Sequence, residues 1–390
     1  MRLLLLNPTK LVGDSGGLAK VNAAFANAML ERGHEVATVH SDEREGDFFY
    51  AFADGVRIYN LNRRADGTLQ KMPAYRKLLR ELMRPFGHAR AMEMNDRYYA
   101  GCFTSSLRSV IERERPDVIV AFQPLAAMLA ITEVRTDVPV VSMSHGDPAD
   151  YFINYPEAEW RALEHCAAAQ VLLPGFEAAL RERFPHLPVT VIGNVVPSYE
   201  KQAELLSDKA RRKILFLGRL VKNHKQPQHL VEAFASLAGA YPDWDVELWG
   251  DDDRNHYRKE LEARIADCGL QERIRLKGTT RDVESVLADG DVFVFPSRVE
   301  GFGLTLAEAM AAGLPVVCYR SCQASRLVED GVSGLLAEDG VPSLAKCMEA
   351  LMRDADLRDR MGRAARQAMR SYSADVIYAE WDKLLEKAVR

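Results

Sequence analysis

The chain is 390 residues long, which is more than one compact core usually supports, so two domains are expected. Its composition is globular, with 47% hydrophobic and 27% charged residues, and this excludes a largely disordered chain. A net charge of −5 argues against a general nucleic-acid-binding protein. The six cysteines form no CxxC pair, which favours reduced thiols in a cytoplasmic protein over a zinc site or a disulfide framework.

Strand-like and helix-like segments alternate along the chain, which is typical of parallel sheets covered on both faces. The first apolar run stops at Asn7-Pro8, too short for a signal sequence, and no run of 18 apolar residues predicts a membrane span. The first half predicts strands at 2–6, 35–40, 117–121, 139–143, 169–173 and 189–192, and helices at 17–32, 75–84, 90–114, 156–167 and 175–183. The second half predicts strands at 213–217, 245–249, 273–277, 291–295, 315–318 and 334–336, and helices at 227–240, 254–268, 304–312 and 342–355.

The alternation pauses in a polar segment at 196–211, which we interpret as a linker. We therefore predict an N-terminal domain at 1–195 and a C-terminal domain at 212–372, with 373–390 crossing back onto the first domain. The predicted fold class is α/β, with two doubly wound Rossmann-like domains facing a central cleft. Such domains bind ligands beyond the carboxyl ends of their strands.

The most informative motif, EGFGLTLAE at 300–308, follows a predicted strand. It places Glu300 in a glycine turn and Glu308 on an apolar helix, where a carboxylate needs a partner. A helix N-terminus beside a tight turn can hold a phosphate, and the carboxylates can accept hydrogen bonds from hydroxyl groups on either side. This pattern favours a nucleotide-sugar; the alternative is a turn glutamate and an exposed helix glutamate.

Two cations follow the predicted strand 213–217. Arg219 lies directly after the strand and Lys225 lies before the next helix. Together they can neutralise the charge that develops on a departing diphosphate. The alternative interpretation is a solvated basic loop. The strand that ends at Gly278 and Thr279 can hold a nucleotide base edge through backbone groups.

Three further candidates follow strands of the first half. Gly16 and Gly17 let the backbone approach a ligand at a helix start, or they form an ordinary loop. The loop is not GxGxxG, and the second strand closes on Val39-His40-Ser41-Asp42 with no acidic residue at the ribose position, so a nicotinamide cofactor is not expected. His145 can bind a sugar hydroxyl or move a proton, or it can make a structural bond.

The stretch 71–97 is basic and amphipathic. It has two interpretations: a surface for an anionic membrane or an anionic lipid-linked acceptor, and a solvated helix face over the core. Its apolar residues include Leu78, Leu79, Leu82, Met83 and Phe86, and its cations are Lys71, Arg76, Lys77, Arg80, Arg84, Arg90 and Arg97.

Taken together, the motifs resemble glycosyltransferase family 4, the group 1 glycosyl transferases, which are retaining enzymes of the GT-B fold. The similarity spans essentially the whole chain and is strongest from 213 to 336. The matching segments are Phe295-Pro296-Ser297, EGFG at 300–303, EAMAAGLPVV at 308–317 and DGVSGLL at 330–336.

The resemblance implies a role for each residue of the main motif. Glu300 is expected to bind hydroxyl groups of the donor sugar, and Glu308 is expected to bind the ribose. The backbone N–H groups of Phe302, Gly303 and Leu304 are expected to hold sugar and phosphate.

The resemblance also implies roles for the charged residues, for His145 and for the opening glycines. Arg219 and Lys225 are expected to clamp the diphosphate, and His145 is expected to contact the donor sugar near its C6 group. Gly16 and Gly17 match the opening glycine loop of the family.

The resemblance further implies metal-independent, retaining transfer of a hexose-type sugar from a nucleotide-diphosphate donor, UDP-sugar favoured over GDP-sugar. Family members need no cofactor, so the run 251–253, which can suggest Mg²⁺, is interpreted as a loop of helix-capping aspartates. It departs from the glycine-containing loop usual there.

The expected acceptor is a glycan or a lipid-linked molecule, in the synthesis of cell-envelope polysaccharide or glycolipid. We expect a cytoplasmic protein with no nucleic-acid partner, and 71–97 is a candidate for peripheral contact with the inner face of the membrane. The alternatives are a sugar-nucleotide epimerase of the same fold, a pyridoxal-phosphate phosphorylase and a non-catalytic partner subunit of a transferase.

Overall fold

The structure is a computed structural model that describes residues 1–14, 16–64, 66–83, 85, 87–252 and 257–390. The sequence predictions that involve Arg84, Phe86 and Asp253 lie outside these residues. The chain forms two compact units. The first comprises Met1–Asn194 with Ile377–Arg390, and the second comprises Val195–Val376.

Within the described residues, the first unit contains a seven-stranded parallel sheet of order β3-β2-β1-β4-β5-β6-β7. Most of its strands are buried apolar runs, as expected when helices cover both faces. The strands are β1 (Arg2–Leu6), β2 (Glu35–His40), β3 (Arg57–Asn60), β4 (Val118–Ala121), β5 (Val140–Met143), β6 (Ala168–Val171) and β7 (Val189–Val191).

The helices of the first unit follow its strands along the chain. They are α1 (Gly17–Glu31), α2 (Ala74–Met83), α3 (His88–Glu114), α4 (Pro124–Met128), α5 (Tyr151–Asn154), α6 (Glu157–Arg161) and α7 (Glu177–Arg183). A π-helical segment extends α4 over Leu129–Val134, and 3-10 turns cover Pro148–Asp150 and Ala162–His165.

In its described part, the second unit contains a six-stranded parallel sheet of order β10-β9-β8-β11-β12-β13. Its strands are β8 (Arg212–Leu217), β9 (Trp244–Trp249), β10 (Ile274–Gly278), β11 (Val292–Phe295), β12 (Val316–Tyr319) and β13 (Gly334–Ala337). Its helices are α8 (Pro227–Leu237), α9 (Tyr257–Asp267), α10 (Val283–Ala288), α11 (Leu304–Ala311), α12 (Val341–Arg353) and α13 (Ala355–Met369), with 3-10 turns at Gln323–Leu327 and Arg370–Tyr372.

The last helix, α14 (Ala374–Val389), starts at the end of the second unit and belongs to the first unit from Ile377 onward. There Trp381 packs edge-on against Phe25 of α1, with 4.9 Å between ring centroids. The guanidinium of Arg32 pairs with the carboxylate of Asp382 at 2.5 Å. These contacts hold the C-terminal helix against α1.

The α/β class and the two Rossmann-like units are confirmed. Every predicted strand overlaps an observed one, whereas β3 was not predicted because its four residues, RIYN, are only half-buried at the sheet edge. Helix α4 was also missed, because it is buried on all sides and shows no amphipathic period.

Residues 196–211 contain no helix or strand. They nevertheless pack on the second unit, where Leu205 is buried. The backbone N–H of Val196 donates to the carbonyl of Tyr372 at 2.9 Å, and that of Ala203 donates to the carbonyl of Ala312 at 2.9 Å. The segment that we expected to be a linker is therefore fixed along one unit.

Two acidic side chains are buried together in the first unit. Asp96 of α3 and Glu159 of α6 are 6% and 1% exposed. Burial raises the pKa of both carboxyl groups, and the charge of Asp96 raises the pKa of Glu159 further, to about 9. At neutral pH the pair therefore holds at least one proton.

Candidate functional site

Three predicted site residues of the second unit, Arg219, Lys225 and Glu300, lie where its strand order reverses. From β8 the chain runs outward through β9 to β10, then returns to β11 on the other side of β8. Such a switch point is where doubly wound sheets bind ligands. Because parallel strands end at one edge, the sheet brings the segments with Arg219, Lys225 and Glu300 to the same edge.

The loop after β8 is held by backbone contacts with the end of β9. The N–H of Leu220 donates to the carbonyl of Asp251 at 2.8 Å. Gly250 has φ +141°, and a Cβ there would lie 1.9 Å from the carbonyl oxygen of Gly218, so only glycine fits. Arg219 is exposed between these fixed positions.

Lys225 and Glu300 are in direct contact, with an ion pair between Nζ and Oε1. Their side chains are 19% and 13% exposed. The ammonium also lies 5.4 Å from the centroid of the Phe295 ring, and the backbone N–H of Glu300 donates to Oε1 of Gln323 at 3.3 Å. The structure thus joins a predicted phosphate-binding cation to a predicted sugar-binding carboxylate.

The turn after Glu300 leads into α11 without a side-chain cap. Gly303 occupies the cap position with φ +84°, and a Cβ there would lie 2.6 Å from Cβ of Ala324. Phe302 is buried and packs edge-on against Tyr372, with 5.4 Å between ring centroids. The first N–H groups of a helix have no intrahelical partner, so those that begin at Leu304 can bind an anion.

Glu308 is buried in the second turn of α11, which disfavours the interpretation as an exposed helix glutamate. Tyr199 lies near it. Burial raises the pKa of the Tyr199 hydroxyl, and the charges of Glu308 and Glu284 raise this pKa further. Sequence reasoning missed Tyr199 because it falls in the segment expected as a linker, although an aromatic residue in a polar segment was a usable signal.

Gly278 and Thr279 lie further along the same sheet edge. Gly278 ends β10, and its carbonyl accepts a hydrogen bond from the N–H of Gly250 at 2.7 Å. Thr279 is exposed. Strands β9 and β8 separate β10 from β11, so these two residues do not belong to the group around Glu300.

In the first unit, the strand order reverses between β1 and β4, and Gly16 and Gly17 follow β1. Gly16 occupies the cap position of α1, and among the described residues no side chain caps this helix. The N–H of Gly16 donates to Oδ1 of Asp14 at 2.8 Å. The glycine pair therefore lies at the switch point of its own sheet.

Asp42, a residue that sequence reasoning did not assign, fixes the opening loop. Its buried Oδ2 accepts hydrogen bonds from the N–H groups of Leu11 and Val12, at 2.8 and 3.1 Å, and lies 2.7 Å from Nδ1 of His40. Burial acts to raise the pKa of Asp42, but these hydrogen bonds outweigh it and hold the pKa below its usual range. The carboxylate thus stays charged and organises the loop.

His145 follows β5 and stacks on the ring of Phe122, with 5.3 Å between centroids. Its Nε2 is buried and makes no hydrogen bond within the described part of the chain. Burial lowers the pKa of His145 to about 4, so the ring is neutral at pH 7. A neutral imidazole can bind a sugar hydroxyl, whereas such a low pKa makes a weak general base.

Two family descriptions match adjacent parts of the chain. "Glycosyltransferase Family 4" matches residues 15–198, and "Glycosyl transferases group 1" matches residues 198–368. The chain belongs to glycosyltransferase family 4. This match confirms the family that the sequence motifs of the glycosyltransferase predicted.

The glycosyltransferase is 22% identical to an uncharacterized glycosyltransferase of Haemophilus influenzae over 383 residues, 96% of this chain and 97% of that protein. It is 34% identical over 160 residues to the lipopolysaccharide core biosynthesis mannosyltransferase LpsB of Rhizobium meliloti, 40% of this chain and 45% of LpsB. Its fold matches that of Anabaena HepE in complex with UDP and glucose, with a TM-score of 0.70, 18% identity and coverage of 98% and 99%. The likeness to HepE shows the GT-B fold alone.

Proposed function

We propose that this glycosyltransferase moves a hexose-type sugar from a UDP-sugar, in preference to a GDP-sugar, to a glycan or lipid-linked acceptor. The contact between Lys225 and Glu300, beside the uncapped start of α11, carries the proposal. It puts an ammonium, a carboxylate and backbone N–H groups at one switch point. A sugar attached to a diphosphate needs these three kinds of group.

Each side chain then has one task in the proposed reaction. Glu300 accepts hydrogen bonds from hydroxyl groups of the sugar, and Glu308 accepts them from the ribose. Arg219 and Lys225 stabilise the diphosphate as its charge increases, which supplies positive charge without a metal ion. His145, neutral at pH 7, contacts the donor sugar through a hydrogen bond.

The proposed chemistry retains the anomeric configuration. The bond between the anomeric carbon and the diphosphate oxygen breaks, and a bond to the acceptor oxygen forms on the same face of the sugar. The acceptor proton passes to the departing phosphate oxygen. No protein side chain is needed as the nucleophile, which fits a site whose two carboxylates bind hydroxyl groups.

The relatives support the substrate classes. HepE was solved with UDP and glucose, and LpsB is named for the synthesis of the lipopolysaccharide core. We therefore propose a role in polysaccharide or glycolipid synthesis, and we propose separately that the enzyme works on the cytoplasmic side of the membrane. Conversion of a UDP-sugar without an acceptor would instead favour a sugar-nucleotide epimerase.

Helix α2 supports the proposed contact with the membrane. None of its residues is buried, and Leu78 and Leu82 are 62% and 59% exposed on the same face as Tyr75. Arg76, Lys77 and Arg80 belong to the same helix, and a helix with both apolar and cationic side chains fits an anionic lipid surface. Within the described residues, no helix has both the length and the apolar character needed to cross a membrane.

The membrane proposal is tested by flotation of the protein with vesicles. We expect binding to vesicles that contain phosphatidylglycerol and little binding to pure phosphatidylcholine. The double variant Leu78→Glu, Leu82→Glu should lose this binding, whereas Leu206→Glu, at an exposed leucine of the second unit, should keep it. Equal flotation of all three proteins would refute a role for α2.

The donor proposal is tested by thermal shift with UDP, UDP-sugars and GDP-sugars. A ligand that binds only the folded state raises stability with its concentration relative to Kd, by about 2.7 kcal/mol at 100 times Kd. We expect stabilisation by UDP and by at least one UDP-sugar, and a smaller shift in Lys225→Met. No shift with any nucleotide-sugar would reject the donor assignment.

A further inference from the structure

A cavity of about 290 Å³ opens in the second unit. Gln226, which directly follows Lys225, and Arg298, two positions before Glu300, both line it. The other lining side chains used below come from α8 and from the segments after β12 and β13: His229, Tyr319, Ser321 and Asp339. None of these six side chains belongs to the proposed donor clamp, which consists of Arg219, Lys225, Glu300 and Glu308.

Internal hydrogen bonds fix part of this cavity. Nδ1 of His229 lies 2.8 Å from the hydroxyl of Tyr319, which is itself buried. The hydroxyl of Ser321 donates to Oδ1 of Asp339 at 2.5 Å. Gln226, at the cap position of α8, has a left-handed backbone with φ +49°, which is uncommon for residues other than glycine. The polar lining is thus arranged by the protein itself.

Two side chains of the cavity have unused hydrogen-bonding capacity. Within the described residues, neither the guanidinium of Arg298 nor the side-chain amide of Gln226 makes a hydrogen bond or an ion pair. Arg298 is anchored only through its backbone, where its N–H donates to the carbonyl of His224 at 2.7 Å. The cavity therefore combines unpaired donors with the carboxylate acceptor of Asp339.

The charges narrow the class of ligand. The formal charges of Arg298 and Asp339 sum to zero, and burial lowers the pKa of His229, which favours the neutral imidazole. A phosphate would meet the carboxylate, a cation would meet the guanidinium, and an apolar molecule would leave polar groups without partners. A neutral molecule with many hydroxyl groups can satisfy both donors and acceptors.

We infer that the cavity binds one neutral sugar ring. Its volume is at the low end of the roughly 300–1,000 Å³ of small-molecule sites, which suits one ring rather than a longer chain. Two sources can supply the ring: the donor sugar held by Glu300, and a sugar residue of the acceptor or product glycan. The inference rests on the proposed function in one respect: a sugar-transferring enzyme encounters both the donor sugar and the sugars of its acceptor or product.

The test measures binding of methyl glycosides to the full chain by saturation-transfer NMR. The probes are the methyl α-glycosides of glucose, galactose and mannose, with inorganic phosphate and UDP measured in parallel. We expect saturable binding of at least one glycoside. Arg298→Ala and Asp339→Asn should each weaken it about tenfold or more, since each removes a charged hydrogen-bonding partner.

Matched variants separate this effect from a general loss of charge. Arg360→Ala and Asp356→Asn, both at exposed positions of α13, should leave glycoside binding unchanged. All four variants should bind UDP like the wild type, because none alters the donor clamp. Failure to bind UDP would count against the proposed function, whereas loss of glycoside binding alone concerns only the cavity.

Competition with UDP-glucose then identifies the source of the ring. If the donor supplies it, Arg298→Ala weakens UDP-glucose but not UDP, and the glycoside competes with UDP-glucose. If a glycan supplies it, the glycoside binds together with UDP-glucose. The inference is overturned if no glycoside binds, if the control variants lose binding equally, or if Arg298→Ala abolishes phosphate binding alone.

Discussion

Replacing Glu300 with glutamine should change nucleotide binding and sugar transfer in opposite directions. The carboxylate holds the ammonium of Lys225, and both side chains are mostly shielded from water, so their attraction is screened less than that of a surface pair. A neutral amide of the same shape releases the ammonium for the diphosphate. We take the ion pair between Lys225 and Glu300 to contribute about 1 kcal/mol. Because Glu300→Gln no longer requires this pair to break when UDP binds, the variant should bind UDP about fivefold more tightly.

The same variant should transfer sugar poorly. The carboxylate is expected to bind hydroxyl groups of the donor sugar most strongly as charge develops at the anomeric carbon. Its loss should lower kcat/KM by roughly 10²-fold, a loss of the size seen when one transition-state hydrogen-bonding group is removed. Lys225→Met should weaken both UDP binding and transfer.

The assays are calorimetric titration with UDP and steady-state kinetics with the UDP-sugar that binds best. Glu272→Gln, at an exposed position of the same unit, serves as the control and should match the wild type in both. The reasoning fails if a folded Glu300→Gln protein keeps its kcat/KM, or if its UDP affinity falls together with that of Lys225→Met.

Two further predictions concern stability. Gly250→Ala should lower the free energy of unfolding by about 2 kcal/mol or more, because the added Cβ would overlap the carbonyl of Gly218. Gly239→Ala, with open space around the added Cβ, should leave the free energy of unfolding unchanged. Equal urea midpoints for the two variants would contradict this prediction. The raised pKa of Glu159 means that the folded state keeps a proton that the unfolded state loses above about pH 4.5, so stability falls as pH rises from there towards 9, by at most about 1.4 kcal/mol per pH unit. Glu159→Gln should flatten this decline and be more stable than the wild type at pH 8; parallel pH profiles of the melting temperature would refute it.

The sequence predicted the sheet edge of the second unit well because strand ends, turns and helix starts there depend on residues that are neighbours in the sequence. A buried strand, a glycine turn and a helix start are all encoded within 291–308, so the placement of Glu300 after β11 and of Gly303 at the start of α11 follows from one segment. The same is true of Arg219 after β8. Strand ends and helix starts are properties of neighbouring residues.

What the sequence could not predict depends on contacts between distant segments. Tyr199, in a segment without secondary structure, lies near enough to Glu308 for the charge of Glu308 to raise its pKa. Gln323, beyond the next strand, accepts a hydrogen bond from the backbone N–H of Glu300. The cavity likewise joins Gln226 to Asp339, more than a hundred positions away. No periodicity or motif in the sequence indicates which distant segments are in contact, because only the folded backbone brings these side chains together.

The central claim is tested most directly by following the anomeric configuration of the transferred sugar. The enzyme is incubated with a ¹³C-labelled UDP-sugar and a glycan acceptor, and NMR records UDP release and the anomeric signal of the product. The proposed mechanism predicts UDP release that depends on the acceptor, with the anomeric configuration of the donor kept in the product. A product with the inverted linkage, or conversion of the UDP-sugar without any transfer, would contradict it.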